Sequence, residues 1–395
     1  MRLFVLLSRV PYPLEKGDKL RAFHQIKELA KHNTIHLCAL NDSGAVHPET
    51  YNILNQYCET IDIIQLPKWQ IYSRLAFAYL FTKKPLQVTY FYSSKIQSKI
   101  NRLINKYKPN HIYCQLARVA EYVKNCNVPK TLDYMDALAR GMERRIEKEP
   151  FYLKPFLKSE SIRLKRYERE IFDFFDAATI ISEQDRNLIV HLKNECIYVV
   201  PNGVDYSKFK TNNSIKKRFD IIFSGNMAYP PNIDSAEYLV NNIMPLVWAK
   251  NPNVNVVLAG ANPVKRVQQL ASEKITVTGW VEDISEYYAA SKIFVAPMQI
   301  GTGLQNKLLE AMAMKIPCIT SPLANNALQA KPGKDILIGN TSEEYAQSII
   351  ALLTNKNLAE EIAQNGHQFI KEKYTWEGST KILQNIFENK ISPDC

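Results

Sequence analysis

Apolar residues fall in short blocks along the whole chain, separated by longer stretches of mixed polarity. The blocks RLFVLLS, TIHLCAL, IDIIQL, HIYCQL, KTLDYM, AATIIS and CIYVVP are followed by RFDIIFSG, VNVVLAG, ITVTG, KIFVAPM and PCITS. Each is β-branched or aromatic, short, and mostly bounded by polar or turn residues, which predicts buried strands. Helical spacing between them predicts helices over residues 19–31, 94–107, 234–250, 304–314 and 375–389. Strand–helix alternation of this kind predicts parallel sheets with right-handed crossovers. It occurs twice, so the predicted class is α/β with two doubly wound, Rossmann-like domains facing across a cleft. The seam is placed at the turn cluster Pro201, Asn202 and Gly203, ahead of the polar stretch KTNNSIKKR.

A length of 395 residues agrees with two domains, and 46% hydrophobic with 23% charged residues is the composition of a globular protein. No run reaches 18 apolar residues and the first apolar run is short for a signal peptide, so a cytoplasmic protein is expected. Seven cysteines with no C-x-x-C spacing suggest reduced thiols and no zinc site. The formal charge of +11 is uneven: residues 1–200 hold 31 Lys and Arg against 21 Asp and Glu, whereas residues 201–395 hold 19 against 18. A basic first half suits an anionic partner such as nucleic acid, a membrane surface or a phosphorylated substrate, or serves solubility alone. Residues 69–92 mix aromatics with Arg74, Lys83 and Lys84. They read either as a membrane-surface or lipid-gripping segment, or as a core helix with solvated lysines. RLKRYEREIF reads as a solvated helix face with pairs such as Arg166 and Glu170.

The segment GTGLQNKLLEAMAMKIPCITS, residues 301–321, carries the most chemistry. In its predicted helix Leu308, Leu309, Met312 and Ala313 pack inward, while Asn306, Lys307 and Glu310 share the adjoining stripe. The glycine loop allows close backbone approach, and free N–H groups at the helix start attract an anion such as a diphosphate, with Lys307 beside it. Glu310 follows about 5–9 Å further along the helical rise, the reach from a diphosphate to its ribose. Spacing leaves two readings open: a carboxylate that accepts from ribose hydroxyls, or an ion pair with Lys307 on a solvated face.

The ordered set PYPLEKGDKLRAFHQIKELA, ISEQDRNLI, VVPNGVD, FSGNMAYPPNIDSAEYL, VVLAG, VTGWVEDISEYYAASKIFVAPM and GTGLQNKLLEAMAMKIPCITS resembles the GT-B glycosyltransferases, specifically glycosyltransferase family 4, over nearly the whole chain. The resemblance implies retaining sugar transfer from a nucleotide-sugar donor, with a UDP- or GDP-sugar as substrate, no further cofactor and no obligatory metal. It implies domains over 1–200 and 201–374, with the helix in 375–395 crossing back to the first domain. Glu310 would match the second glutamate of the E-x7-E motif, which binds the donor ribose. The first falls on Thr302, as in the polysaccharide-associated branch, where a glycine-rich loop replaces the acid. Gly301, Thr302, Gly303 and Leu304 would then face the diphosphate or sugar, next to Asn306. Gly225 matches the family's phosphate loop, but Asn226 replaces its arginine, and Lys307 inherits that duty. Lys315 replaces a helix-ending glycine. Gly17 and Arg21 match the loop that approaches the reacting centre, Asp136 or Asp133 the residue that contacts the sugar, and Gly279, Trp280 and Val281 the segment that contacts the base. Trp280 could instead be core, Arg21 an exposed helix arginine, and His24 and His111 read as structural. The acceptor expected is a surface glycan or a lipid-linked precursor, with docking at the inner face of the cytoplasmic membrane as one option and nucleic acid excluded for want of a motif. The alternatives are a catalytically silent donor-binding subunit and a nucleotide-sugar 2-epimerase of the same architecture.

Overall fold

In the computed structural model, residues 1–14, 16–66, 68–148, 150–212, 214–300 and 303–391 are described. The chain divides into two compact units, Met1–Pro201 with the segment from Ser379 onward, and Asn202–Gly378. The first unit is built on the strands β1 (Arg2–Leu7), β2 (Thr34–Asn41), β3 (Thr60–Gln65), β4 (His111–Gln115), β5 (Lys130–Asp133), β6 (Ala177–Ile180) and β7 (Tyr198–Val199). The second is built on β8 (Phe219–Ser224), β9 (Val256–Ala259), β10 (Ile275–Val277), β11 (Ser291–Ala296), β12 (Cys318–Thr320) and β13 (Leu337–Ile338).

The sheets run β3-β2-β1-β4-β5-β6-β7 and β10-β9-β8-β11-β12-β13, with parallel pairing throughout. Renumbered from its own first strand, each contains the order 3-2-1-4-5-6, so both expected doubly wound sheets are present. In such sheets ligands bind beyond the carboxyl ends of the strands, at the switch beside the first strand. Central strands are covered on both faces, and β1 is buried from Leu3 through Leu7. That is why these strands read as unbroken apolar runs.

Two predicted helices change and one strand is added. The helix expected over 234–250 is Pro230–Tyr238, a π-helical turn Leu239–Ile243, and then Met244–Trp248. Pro245 has no N–H for the carbonyl of Asn241, and the backbone absorbs this by spending an extra residue. The helix expected over 304–314 is Asn306–Ala313. It ends in a Schellman turn: Lys315 takes φ 55°, its N–H donates to Met312 O, and the Ile316 N–H donates to Ala311 O. β13 went unread because two residues carry no period. Cys38, Cys58, Cys114, Cys126 and Cys318 are free, but Cys196 is disulfide-bonded, which corrects the expectation of reduced thiols throughout.

Leu383, Ile386 and Phe387 of the helix Trp376–Phe387 share one cluster with Leu3, Val5 and Leu37, and the Phe387 ring lies 4.6 Å from His111 and 5.6 Å from Tyr113. Glu168, on the helix Lys154–Phe172, is buried and accepts from the Ala139 N–H at 3.3 Å. Burial pushes its carboxyl up to about 8, against the lowering effect of the backbone donors at Ala139 and Leu138. The folded state therefore holds this proton more tightly than the unfolded chain, so stability falls as pH rises from the ordinary glutamate range to about 8. Glu168→Gln is expected to raise stability at pH 8 by about 2 kcal/mol and to flatten that decline. Urea unfolding at pH 5 and pH 8 measures it, and equal losses at both would assign Glu168 a charged capping role instead.

Candidate functional site

The second unit gathers its polar groups beyond the carboxyl end of β8. Lys307, in the first turn of Asn306–Ala313, donates from Nζ to Asn232 Oδ1 at 2.5 Å and lies 4.6 Å from the Phe223 ring centroid. Asn232 in turn donates to the Asn226 carbonyl at 2.9 Å. Two glycines let this loop close up. A Cβ on Gly225, at φ 150°, would sit 2.6 Å from Asn232 Nδ2 and 3.2 Å from Lys307 Nζ. One on Gly260, at φ 145°, would sit 1.9 Å from the Gly225 carbonyl oxygen. Burial brings the Lys307 ammonium down to about 7, opposed by the Glu310 charge. Lys307 is thus a cation whose charge is held weakly near neutral pH and which an approaching anion would reinforce.

Glu310 lies one turn on from Lys307 and does not pair with it. Its Oε2 accepts from the Tyr288 hydroxyl at 3.0 Å, and that hydroxyl is also 2.6 Å from Ser224 Oγ. Tyr288 is fully buried, so a rigid group from the core fixes the carboxylate. Burial raises the Glu310 pKa, while Tyr288, Lys208 and Lys307 oppose the rise. Among the described residues, Glu310 Oε1 has no partner. A carboxylate anchored by one oxygen and open at the other suits a hydroxyl donor.

Other expected donor residues stand nearby in the chain. The Asn306 side chain accepts from Asn202 Nδ2 at 3.1 Å, and Gln305 folds back to donate to the Gly303 carbonyl at 2.8 Å. Leu304 is half-buried. Gly301 and Thr302 lie outside the described residues. Gly279 takes φ 71°, and Thr278 Oγ1 accepts from the Gly260 N–H at 3.3 Å while donating to the Gly279 carbonyl at 2.8 Å. That links the 279–281 segment to the glycine-lined loop. Trp280 is 72% exposed, which removes the core alternative, and Val281 is half-buried.

In the first unit the expected residues separate. Gly17 opens the helix Gly17–Leu29 and is exposed. Arg21 and Asp133 are fully buried against each other: Arg21 Nε to Asp133 Oδ2 is 2.7 Å and Nη2 to Oδ1 is 3.2 Å. Tyr113 and Thr179 add hydroxyl donors to Asp133 at 2.8 and 3.0 Å. Neither side chain of this pair is exposed, which corrects the alternative reading of Arg21 as an exposed helix residue. Asp136 differs. It follows Met135, held at φ 63°, and keeps an exposed face. Crowding by the surrounding protein and then the Asp185 charge nevertheless push its carboxyl up to about 6. His111 is buried against Thr131 Oγ1 at 2.9 Å, and burial brings it down to about 4.

Some groups gave no signal of their own. Asn232 and Tyr288 read as ordinary helix residues, and only the tertiary contacts with Lys307 and Glu310 single them out. At the end of β4, Gln115 Nε2 and Arg118 Nε are buried without a hydrogen-bond partner among the described residues, around Leu116 at φ 70°. Unsatisfied donors beside a strained backbone mark places that a ligand can complete.

Residues 218–355 match the family model described as glycosyl transferases group 1. A 44.6 kDa protein in the cps region of Klebsiella pneumoniae is 23% identical, covering 98% of this chain and 99% of that protein. The UDP-Gal:alpha-D-GlcNAc-diphosphoundecaprenol alpha-1,3-galactosyltransferase of Escherichia coli is 27% identical, covering 41% of this chain and 46% of that protein. Among solved structures, Anabaena HepE in complex with UDP and glucose aligns with a TM-score of 0.68 at 13% identity, covering 98% of this chain and 99% of that one. The fold is GT-B, and the matched segment points to a glycosyltransferase.

Proposed function

We propose that the chain is a retaining, metal-independent glycosyltransferase of family 4 that moves a sugar from a nucleotide-sugar donor to a glycan or lipid-linked acceptor during surface polysaccharide synthesis. The observation that carries this reading is Glu310, fixed through one oxygen by buried Tyr288 and open at the other, one helical turn beyond Lys307. Ribose hydroxyls donate to Glu310, and the diphosphate lies by the amino end of Asn306–Ala313, with Lys307 and the Gly225 loop beside it. The Gly279–Val281 segment takes the base. In the transfer the acceptor oxygen bonds to the anomeric carbon as its bond to phosphate breaks. The acceptor proton passes to the departing phosphate, whose charge Lys307 stabilises. Asp136, near neutral in affinity for a proton, contacts the sugar, and Arg118 and Gln115 supply donors to an anionic acceptor group. HepE with UDP and glucose supports the donor class; the cps-region relative and the galactosyltransferase support the acceptor class.

Binding the diphosphate should restore the Lys307 proton. Free Lys307, held to about 7, is mostly neutral at pH 8 and takes up close to one proton when the anion binds. Affinity therefore weakens toward tenfold per pH unit above 7. Calorimetry with UDP at pH 8, in buffers of different ionisation enthalpy, is expected to show that uptake and to lose it in Lys307→Met. No uptake in the wild type would remove Lys307 from the phosphate site.

A silent donor-binding subunit is the second reading, favoured by Thr302 standing where the first glutamate of E-x7-E is expected. Purified chain incubated with a panel of UDP- and GDP-sugars separates the two. Turnover of one donor to free nucleotide supports the enzyme, whereas saturable binding without turnover, with acceptor glycans present, supports the subunit.

A further inference from the structure

Residues 68–85 contain four cationic side chains and no acid, and residues 150–166 contain five against one. That one acid, Glu160, is buried and turned inward, accepting from the Leu86 and Gln87 N–H groups at 2.8 and 3.0 Å. The helix Lys68–Phe81 buries Ile71 and Ala78 but leaves Tyr72, Phe77, Leu80 and Phe81 at 76%, 61%, 70% and 71% exposed. Phe151 and Tyr152, at 84% and 66%, precede the helix Lys154–Phe172. An apolar helix with this little of its surface covered is not the core helix that its composition allowed.

The two segments form one face. The Tyr79 and Phe156 rings are 5.4 Å apart, and the Arg163 guanidinium lies 5.4 Å from the Tyr79 ring centroid. Arg163 also donates to the carbonyls of Ala78, Tyr79 and Lys84 at 3.2, 2.9 and 3.3 Å. Beside it opens a cavity of about 390 Å³ lined by Lys83, Lys84, Lys124, Arg163 and Arg166 together with Glu121 and Glu170, where Lys84 pairs with Glu121 at 2.8 Å and Arg166 with Glu170 at 2.6 Å.

We infer that this face docks on an anionic lipid bilayer, with Phe77, Leu80 and Phe81 entering the head-group boundary and Lys83 and Arg163 meeting lipid phosphates. The combination selects the partner. Large aromatic and aliphatic groups beside a net positive charge fit an interface that is apolar below and anionic above. A second copy seated on the same face would set like charges against each other. No helix among the described residues is long and apolar enough to cross a membrane, so the contact is peripheral. This proposal stands apart from sugar transfer, because its readout needs no donor.

The test is flotation of the full chain with vesicles of phosphatidylcholine alone and of phosphatidylcholine mixed with phosphatidylglycerol. Binding is expected only to the mixed vesicles, and to weaken with added salt. Leu80→Ser with Phe81→Ser should lower partitioning about tenfold or more, and Lys83→Glu should do so by at least about fivefold, near the worth of one charge at such a surface. The substituted side chains are exposed, and unchanged thermal unfolding confirms that the variants are folded. Failure to float with anionic vesicles, or equal flotation by the variants, overturns the proposal. So does a self-association in vesicle-free buffer that Leu80→Ser with Phe81→Ser abolishes, since that assigns the face to a second copy.

Discussion

Glu310→Ala is expected to weaken nucleotide binding about a hundredfold or more while leaving thermal stability nearly unchanged. Each hydrogen bond from a ribose hydroxyl to a carboxylate contributes about 1.5–3 kcal/mol, so two give a factor of about 10² to 10⁴. Stability is spared because the Tyr288 hydroxyl keeps Ser224 as a partner at 2.6 Å. In addition, burial disfavours the Glu310 charge in the absence of a ligand. Glu310→Gln retains the shape and one acceptor, and should fall between the two. Titration with UDP and with GDP measures the loss, and differential scanning calorimetry measures the stability. Undiminished affinity in Glu310→Ala would place the ribose elsewhere and take the donor site with it.

The second large effect falls on stability. Arg21→Ala should destabilise the first unit by about 3–5 kcal/mol, because it leaves Asp133 charged and fully buried with only neutral donors. Arg21→Met combined with Asp133→Asn should recover much of that loss: the charge is gone, the volume is kept, and an acceptor remains for Tyr113 and Thr179. Urea denaturation of the wild type and the two variants decides the matter. A single variant as stable as the wild type would mean that the pair contributes nothing, and a double variant no better than the single would place the loss in packing.

These two residues show what one dimension of sequence can and cannot tell. Arg21 and Asp133 are 112 positions apart and the ion pair closes only when β5 lies beside the helix Gly17–Leu29, so a helix arginine and a strand-end acid each looked free to meet a ligand. Lys307 and Asn232, 75 positions apart, are the same case in the second unit. Strands were readable because a parallel strand covered on both faces must be apolar along its length. β13 and the π-helical turn were not, since one is too short to show a period and the other is set by a proline's missing donor. Glu310 was readable from its place on the stripe it shares with Lys307, although setting aside an ion pair between the two required the position of Tyr288.

The packing of Leu383, Ile386 and Phe387 against Leu3 and Val5 has a consequence for how the molecule comes into being. On a ribosome the strands of the first unit emerge early, yet the side chains that close their inner layer are translated after the whole second unit. The segment Asn202–Gly378 can therefore complete its own sheet while the earlier one still waits with an open flank. The nascent chain must keep that flank from sticking to its neighbours until its final turns are made.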